Sequence, residues 1–242
     1  MNNVEYIKSI KSIGLKEAIN HGTCAYIYQI DDQTYFKLFN SEYHSLRDSA
    51  NIDLYNTLLE LSNIKLPHIV TPTTLYRTKN QFYGYTMPYI NAFNLSNLSS
   101  QIQLNILRQS FENIKKEVLT LSKNYIKTED ISLENVLFNH ELYLIDLDLS
   151  LYDRDFIPDY LYHETMFRLF EVLIQAMILH PSRYNILMNS SLSSTYIALK
   201  DGQSDDYDYF FNQLFTFLEN KVNTKIDTVA SLRLSLEQTK ML

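Results

Sequence analysis

The stretch TEDISLENVLFNHELYLIDLD, residues 128–148, sets Asp130 and Asn135 ahead of an apolar run and Asp146 and Asp148 at its end. A carboxylate beside buried strands is costly unless something positive faces it. Val136, Leu137, Phe138, Leu142, Leu144 and Ile145 predict two short strands linked at Asn139-His140-Glu141, with Asp146 ending the second. A tight hairpin of this kind brings Asn135 and Asp146 close together, near the loop that carries Asp130. Oxygen donors grouped in this way suit Mg²⁺, which takes one or two carboxylates and completes its shell with substrate phosphate oxygens. The remaining carboxylate then orients an attacking hydroxyl or accepts its proton. The plain alternative is loop solvation and capping, against which the apolar walls around Asp146 argue.

The elements that must position these groups can be read from periodicity. AYIYQI (25–30) and TYFKLF (34–39) are rich in aromatic and β-branched residues and flank the turn material Asp31-Asp32-Gln33, so they predict a hairpin. Lys37 shares a face with Tyr35 and Phe39, a lone cation on an aromatic strand. As an edge residue it would lay its stem on apolar surface. Leu46, Ala50, Leu54, Leu58 and Leu61 predict a helix over about 43–62 that ends before Pro67, and FYGYTMPYI (82–90) predicts a strand ending near Pro88.

The Asn/Ser-rich NAFNLSNLSS from Asn91 is a connector, and the chain divides into residues 1–88, rich in strands, and residues 89–242, mainly helical. Leu104, Leu107, Phe111, Ile114, Val118 and Leu121 form an unbroken helical stripe. ETMFRLFEVLIQAMILH (164–180) is apolar nearly all round and predicts a buried helix, and a further amphipathic helix covers about 207–222.

Composition excludes several classes. A hydrophobic content of 45% with 13% aromatics over 242 residues supports a folded chain with a sizeable core, not a disordered one. The net charge of −7 argues against nucleic-acid and anionic-membrane binding. One cysteine, Cys24, rules out an intramolecular disulfide framework or a cysteine-rich zinc site. The opening MNNVEYIKSI lacks the pattern of a secretory signal, and a cytoplasmic protein is expected.

DISLENVLF followed by LIDLD resembles the catalytic loop and metal-binding turn of the eukaryotic-like protein kinase fold. The resemblance implies an α+β, bilobal protein, with a small antiparallel β-sheet lobe carrying one helix and a mainly helical second lobe. It puts the catalytic loop at 128–137 and the metal-binding turn at 144–148. Asp130 falls on the catalytic aspartate, Asn135 on the metal-binding asparagine and Asp146 on the aspartate of the Asp-Phe-Gly motif, with Leu147 and Asp148 in place of Phe and Gly. NHGTCAYIY resembles the glycine-rich loop, with Asn20, Gly22 and Ala25 in the glycine positions and Ile27 following. Gly22, Thr23, Ala25 and Ile27 would then cover the nucleotide, and Lys37 falls where the phosphate-contacting lysine sits. The helix after it should supply an acid to Lys37, and Asp53 is the best placed, ahead of Glu60 and Glu42. Met87 would back the adenine, and backbone groups of Tyr89 or Ile90 would bond its edge.

The implied activity is phosphoryl transfer from ATP, with Mg²⁺ or Mn²⁺, to a Ser/Thr hydroxyl on a protein. Departures from the family pattern keep other readings open. Thr128 and Glu129 replace the usual His-Arg, and Glu129 would repel an activating phosphate. The segment after Asp148 is short and lacks an Ala-Pro-Glu motif, so a small hydroxyl-bearing substrate of the aminoglycoside or choline kind is an alternative. Asp148 suggests a second cation or only a turn residue. The incomplete glycine loop also allows a pseudokinase acting as a nucleotide-binding or protein-interaction module.

Overall fold

The computed structural model describes residues 3–22, 24–40, 54–79, 81–179 and 191–240. The protein is mixed α+β and folds as two compact units. The first comprises Met1–Asn91, Tyr125–Asp130 and Ile145–Asp155; the second comprises Ala92–Asn124, Ile131–Leu144 and Phe156–Leu242. Among the described residues no helix is long and apolar enough to cross a membrane.

The first unit is built on a six-stranded sheet: β1 Val4–Tyr6, β2 Asn20–His21, β3 Ala25–Gln29, β4 Thr34–Phe39, β5 Thr74–Arg77 and β6 Phe82–Pro88, in the order β1-β5-β6-β4-β3-β2. The expected hairpin is present: β3 and β4 pair antiparallel with Ile27 opposite Lys37. β4 then pairs with β6, Lys37 opposite Tyr85, which makes β4 a central strand and not an edge. β1 joins β5 in parallel, a partnership about seventy positions away in the chain that local pattern does not announce.

Gly84 is what lets β4 and β6 lie as close as they do, because a Cβ there would run into the Lys37 carbonyl oxygen. Helix α1, Leu54–Ser62, buries Leu54, Leu58 and Leu61 under the sheet with Phe36, Ile69 and Leu75. The expected start of this helix, near 43, lies outside the described residues, as do Leu46 and Ala50.

Two short strands bring later segments to the same unit. β8, Ile126–Lys127, pairs antiparallel with β11, Leu151–Tyr152, and α1 packs on β11 and on the 3₁₀ turn Leu147–Leu149. Segments 125–130 and 145–155, which the sequence pattern allots to the helical part, therefore pack with the sheet.

The second unit holds β7 Phe93–Asn94, β9 Val136–Asn139 and β10 Glu141–Leu144 in the order β10-β9-β7, with the helices α2 Leu104–Lys123, α3 Pro158–Ile178, α4 Ser193–Lys200, α5 Tyr207–Val222 and α6 Val229–Lys240. The hairpin turn is tighter than expected. Asn139 pairs with Glu141, leaving His140 alone at φ 61°. α3 starts at Pro158, six residues before the apolar run, because a proline is well suited to the first helical position, where its missing N–H costs nothing.

Phe170 on α3 lies at the centre of the core. Its ring meets those of Phe111, Phe167, Tyr196, Tyr207, Phe210 and Phe211 at centroid distances of 5.1–6.4 Å. Arg233 of α6 donates to the carbonyls of Met177 and Ala176, satisfying the last turn of α3. On α5, the N-cap Asp206 accepts from the Tyr209 N–H at 2.9 Å.

Candidate functional site

Lys37 is buried, only 6% exposed, on the central strand β4. Its ammonium donates to Asp146 Oδ1 and, at 3.1 Å, to Asp148 Oδ1. These partners come from positions 109 and 111 residues further along the chain, within the same unit. A cation and two anions withdrawn from water in this way hold together only because they face one another.

Asp146 does not end a strand, as its place in LIDLD suggests. β10 stops at Leu144, and Asp146 begins the 3₁₀ turn with left-handed backbone, φ 62° and ψ 53°. For a residue with a Cβ this conformation is unfavourable and persists where surrounding contacts fix it. Ser150 closes the turn, its N–H donating to the Leu147 carbonyl at 3.0 Å. Asp130 also takes positive φ, 54°, and is exposed. Beside it Lys127 and Glu129 form an ion pair at 2.8 Å, and the β8–β11 ribbon ties this segment to the one that follows Asp146.

The electrostatics follow from burial and proximity. Burial alone would lower the Lys37 pKa, but the Asp148 and Asp146 carboxylates outweigh it, and the ammonium is held above its ordinary value. For Asp148, burial first and then its hydrogen bond with Asp146 push the carboxyl up to about 7, against the pull of Lys37. For Asp146, burial acts upward, but the hydrogen bond with Asp148 and the Lys37 charge prevail and its pKa falls below the usual carboxylate value. Burial and the shared hydrogen bond thus push the two carboxyls apart, Asp146 downward and Asp148 upward.

The asymmetry extends to access. The Asp146 side chain is 37% exposed, whereas that of Asp148 is 4% exposed. Asp146 is therefore the carboxylate available to a cation, and the donor chemistry suits a hard divalent ion completed by phosphate oxygens. Among the described residues no group of three or more His, Cys, Asp or Glu side chains is arranged to hold a metal alone. Asn135 lies in the second unit just before β9, where its backbone N–H donates to the Ser132 carbonyl at 3.2 Å.

The groups assigned to the nucleotide are placed as follows. Gly22 donates its N–H to the Ala25 carbonyl at 2.9 Å, closing the tight β2–β3 turn, and Ala25 is buried at the start of β3 with Ile27 further along. That bond commits the Gly22 amide, so it does not point at a ligand in this arrangement. Met87 and Pro88 end β6. The Tyr89 N–H donates to the Gln33 carbonyl at 2.8 Å, so the Tyr89 amide expected for an adenine edge is engaged with the 29–34 turn. The Tyr89 ring packs on Tyr35 at 4.9 Å. Thr23 and Asp53 lie outside the described residues. The contact of Asp148 with Lys37 goes beyond the turn residue or cation ligand that sequence reasoning assigns there. The available signal is a second acid placed two residues beyond the first at the end of an apolar run. No protein-family model and no curated protein matches the chain.

Proposed function

We propose that the chain is an ATP- and Mg²⁺-dependent phosphotransferase of the protein kinase-like type, acting on a Ser/Thr hydroxyl of a protein. The bilobal arrangement of that fold, with a boundary near residue 88, belongs to the same proposal. The supporting observation is the pairing of the buried Lys37 with Asp146 across more than a hundred residues of sequence. A lone ammonium on a central strand beside a partly exposed carboxylate is the arrangement a triphosphate and its cation require.

In this reading Lys37 contacts the α and β phosphates, Asp146 and Asn135 offer oxygens to the metal, and Asp130 orients the acceptor hydroxyl. Gly22, Thr23, Ala25, Ile27, Met87, Tyr89 and Ile90 surround the nucleotide, with the Tyr89 carbonyl and Ile90 left to meet the adenine edge. A bound divalent cation supplies neutralisation of phosphate charge. The protein's own groups orient the reactants and exclude competing geometries.

The test is Asp130→Asn. Phosphate transfer to the chain itself or to a generic acceptor should be lost, while Mg-ATP binding persists. Transfer at the wild-type rate would remove Asp130 from this role.

A small-molecule acceptor is the second reading. It is favoured by residues 149–157, where a short turn and the two-residue strand β11 leave little chain for docking a peptide before α3 begins. ATP consumption in a screen of aminoglycosides, choline and sugars separates it from the first. A pseudokinase that binds without transfer is the third, favoured by the engaged Gly22 and Tyr89 amides.

A further inference from the structure

A buried ammonium needs fixed anions around it. The resemblance places one of those anions on the helix after β4, whereas the carboxylates that reach Lys37 among the described residues both come from the turn after β10. These two carboxylates differ in what they can do. Asp146 has a partly exposed side chain and left-handed backbone, and it opens toward solvent. Asp148 is almost fully enclosed and meets the ammonium at 3.1 Å from the interior. A carboxylate so enclosed is in no position to serve an incoming cation while the turn stays folded. Its contact with the lysine ammonium is direct. The turn that carries it is fixed by the Ser150 to Leu147 hydrogen bond and by packing of α1 against residues 147–149.

We infer that Asp148 is the positioning residue for Lys37, an assignment that rests on the nucleotide-binding reading above. The turn after β10 then holds the ammonium at its station, doing what a helix-borne acid does in the family pattern. A consequence concerns regulation: folding of the 146–149 turn by itself sets a carboxylate against the lysine. Glu129, standing where a phosphate-receiving arginine is usual, agrees with a site that is not switched by phosphorylation.

The test uses Asp148→Asn, Asp148→Glu, Lys37→Met and the Asp148→Asn/Lys37→Met double variant, with Mg-ATP affinity read by calorimetry. Asp148→Asn should weaken binding about ten-fold, the scale of one lost charged hydrogen bond. Asp148→Glu should restore most of the affinity, and Asp148→Asn should add nothing once Lys37 is Met. Unchanged affinity in Asp148→Asn, with the wild type binding normally, overturns the inference and leaves the nucleotide reading standing. An equal loss in both lysine backgrounds also overturns it, because Asp148 would then act by another route.

Absence of nucleotide binding in the wild type overturns both. Should Asp148→Asn not fold, the Asp146→Asn protein carries the test. Its Lys37 ammonium protons should stay protected from exchange by NMR, and rapid exchange would show that Asp148 does not hold the lysine.

Discussion

The two units bury opposite things. The second packs Phe170 inside a ring of six aromatic side chains and keeps a long-range ion pair, Arg108 with Asp208, toward the surface. The first puts a lysine and an aspartate into its interior, where apolar side chains would pack at least as favourably. Aromatic burial gives the second unit cohesion with no chemical specificity. The first unit accepts the desolvation cost of two charges, and chemistry at a site is a sufficient reason for that cost.

The contrast can be broken from either side, and the largest effect should come from the aromatic core. Phe170→Ala removes the ring on which the second unit converges and should lower unfolding free energy by about 3–5 kcal/mol. Denaturant titration followed through α-helical signal checks this. A loss under about 1 kcal/mol would mean the cluster relaxes to fill the space.

In the first unit Gly84→Ala should cost about 1–3 kcal/mol, the range for forced overpacking, because the new methyl meets the Lys37 carbonyl. The same variant should weaken Mg-ATP binding, since the displaced backbone carries the lysine.

The pH response should distinguish the units next. Asp148 has a folded pKa of about 7, well above that of an unfolded aspartate. A raised carboxyl stabilises the fold fully below the unfolded value and loses that contribution as pH climbs through the folded one. Its share of stability should therefore fall between about pH 4 and about pH 7. Asp146 runs the other way: its lowered pKa gives stability above the unfolded value that is lost in more acid solution. Melting temperatures across this range should decline toward neutrality in the wild type and flatten in Asp148→Asn. A profile unaffected by the substitution would contradict a raised Asp148 carboxyl.

The smallest change belongs to the surface pair. Arg108→Ala loses a partly exposed contact to Asp208 and stacking on Phe215, together worth under about 1 kcal/mol.

Much of this molecule is legible in residue order. The 3.6-residue stripe of α2 and the aromatic alternation of β3 and β4 announce their elements because burial on one face forces that period. The α5 helix starts and ends where its pattern does. What residue order conceals depends on distant partners. β1 and β11 are two or three residues long and exist through pairing with β5 and β8, which no local window contains. Helices α4 and α6 carry amphipathic patterns too weak to announce them.

Within the candidate site, type and spacing single out Lys37 and Asp146. They do not reveal the role of Asp148, since an acid's counter-ion more than a hundred residues away leaves no periodic trace. The Tyr89 amide escapes for a similar reason. Its acceptor, the Gln33 carbonyl, belongs to the β3–β4 turn, and backbone bonding between loops is invisible to side-chain pattern.

The proposed function requires Lys37 to be a nucleotide-binding ammonium and not a structural counter-ion. Mg-ATP titration of the wild type and of Lys37→Met, followed by the shift in melting temperature, addresses this directly, since a ligand that binds only the folded state raises apparent stability. The wild type should gain several degrees at millimolar Mg-ATP while Lys37→Met gains none. No gain in the wild type, or the same gain in both proteins, would contradict the account.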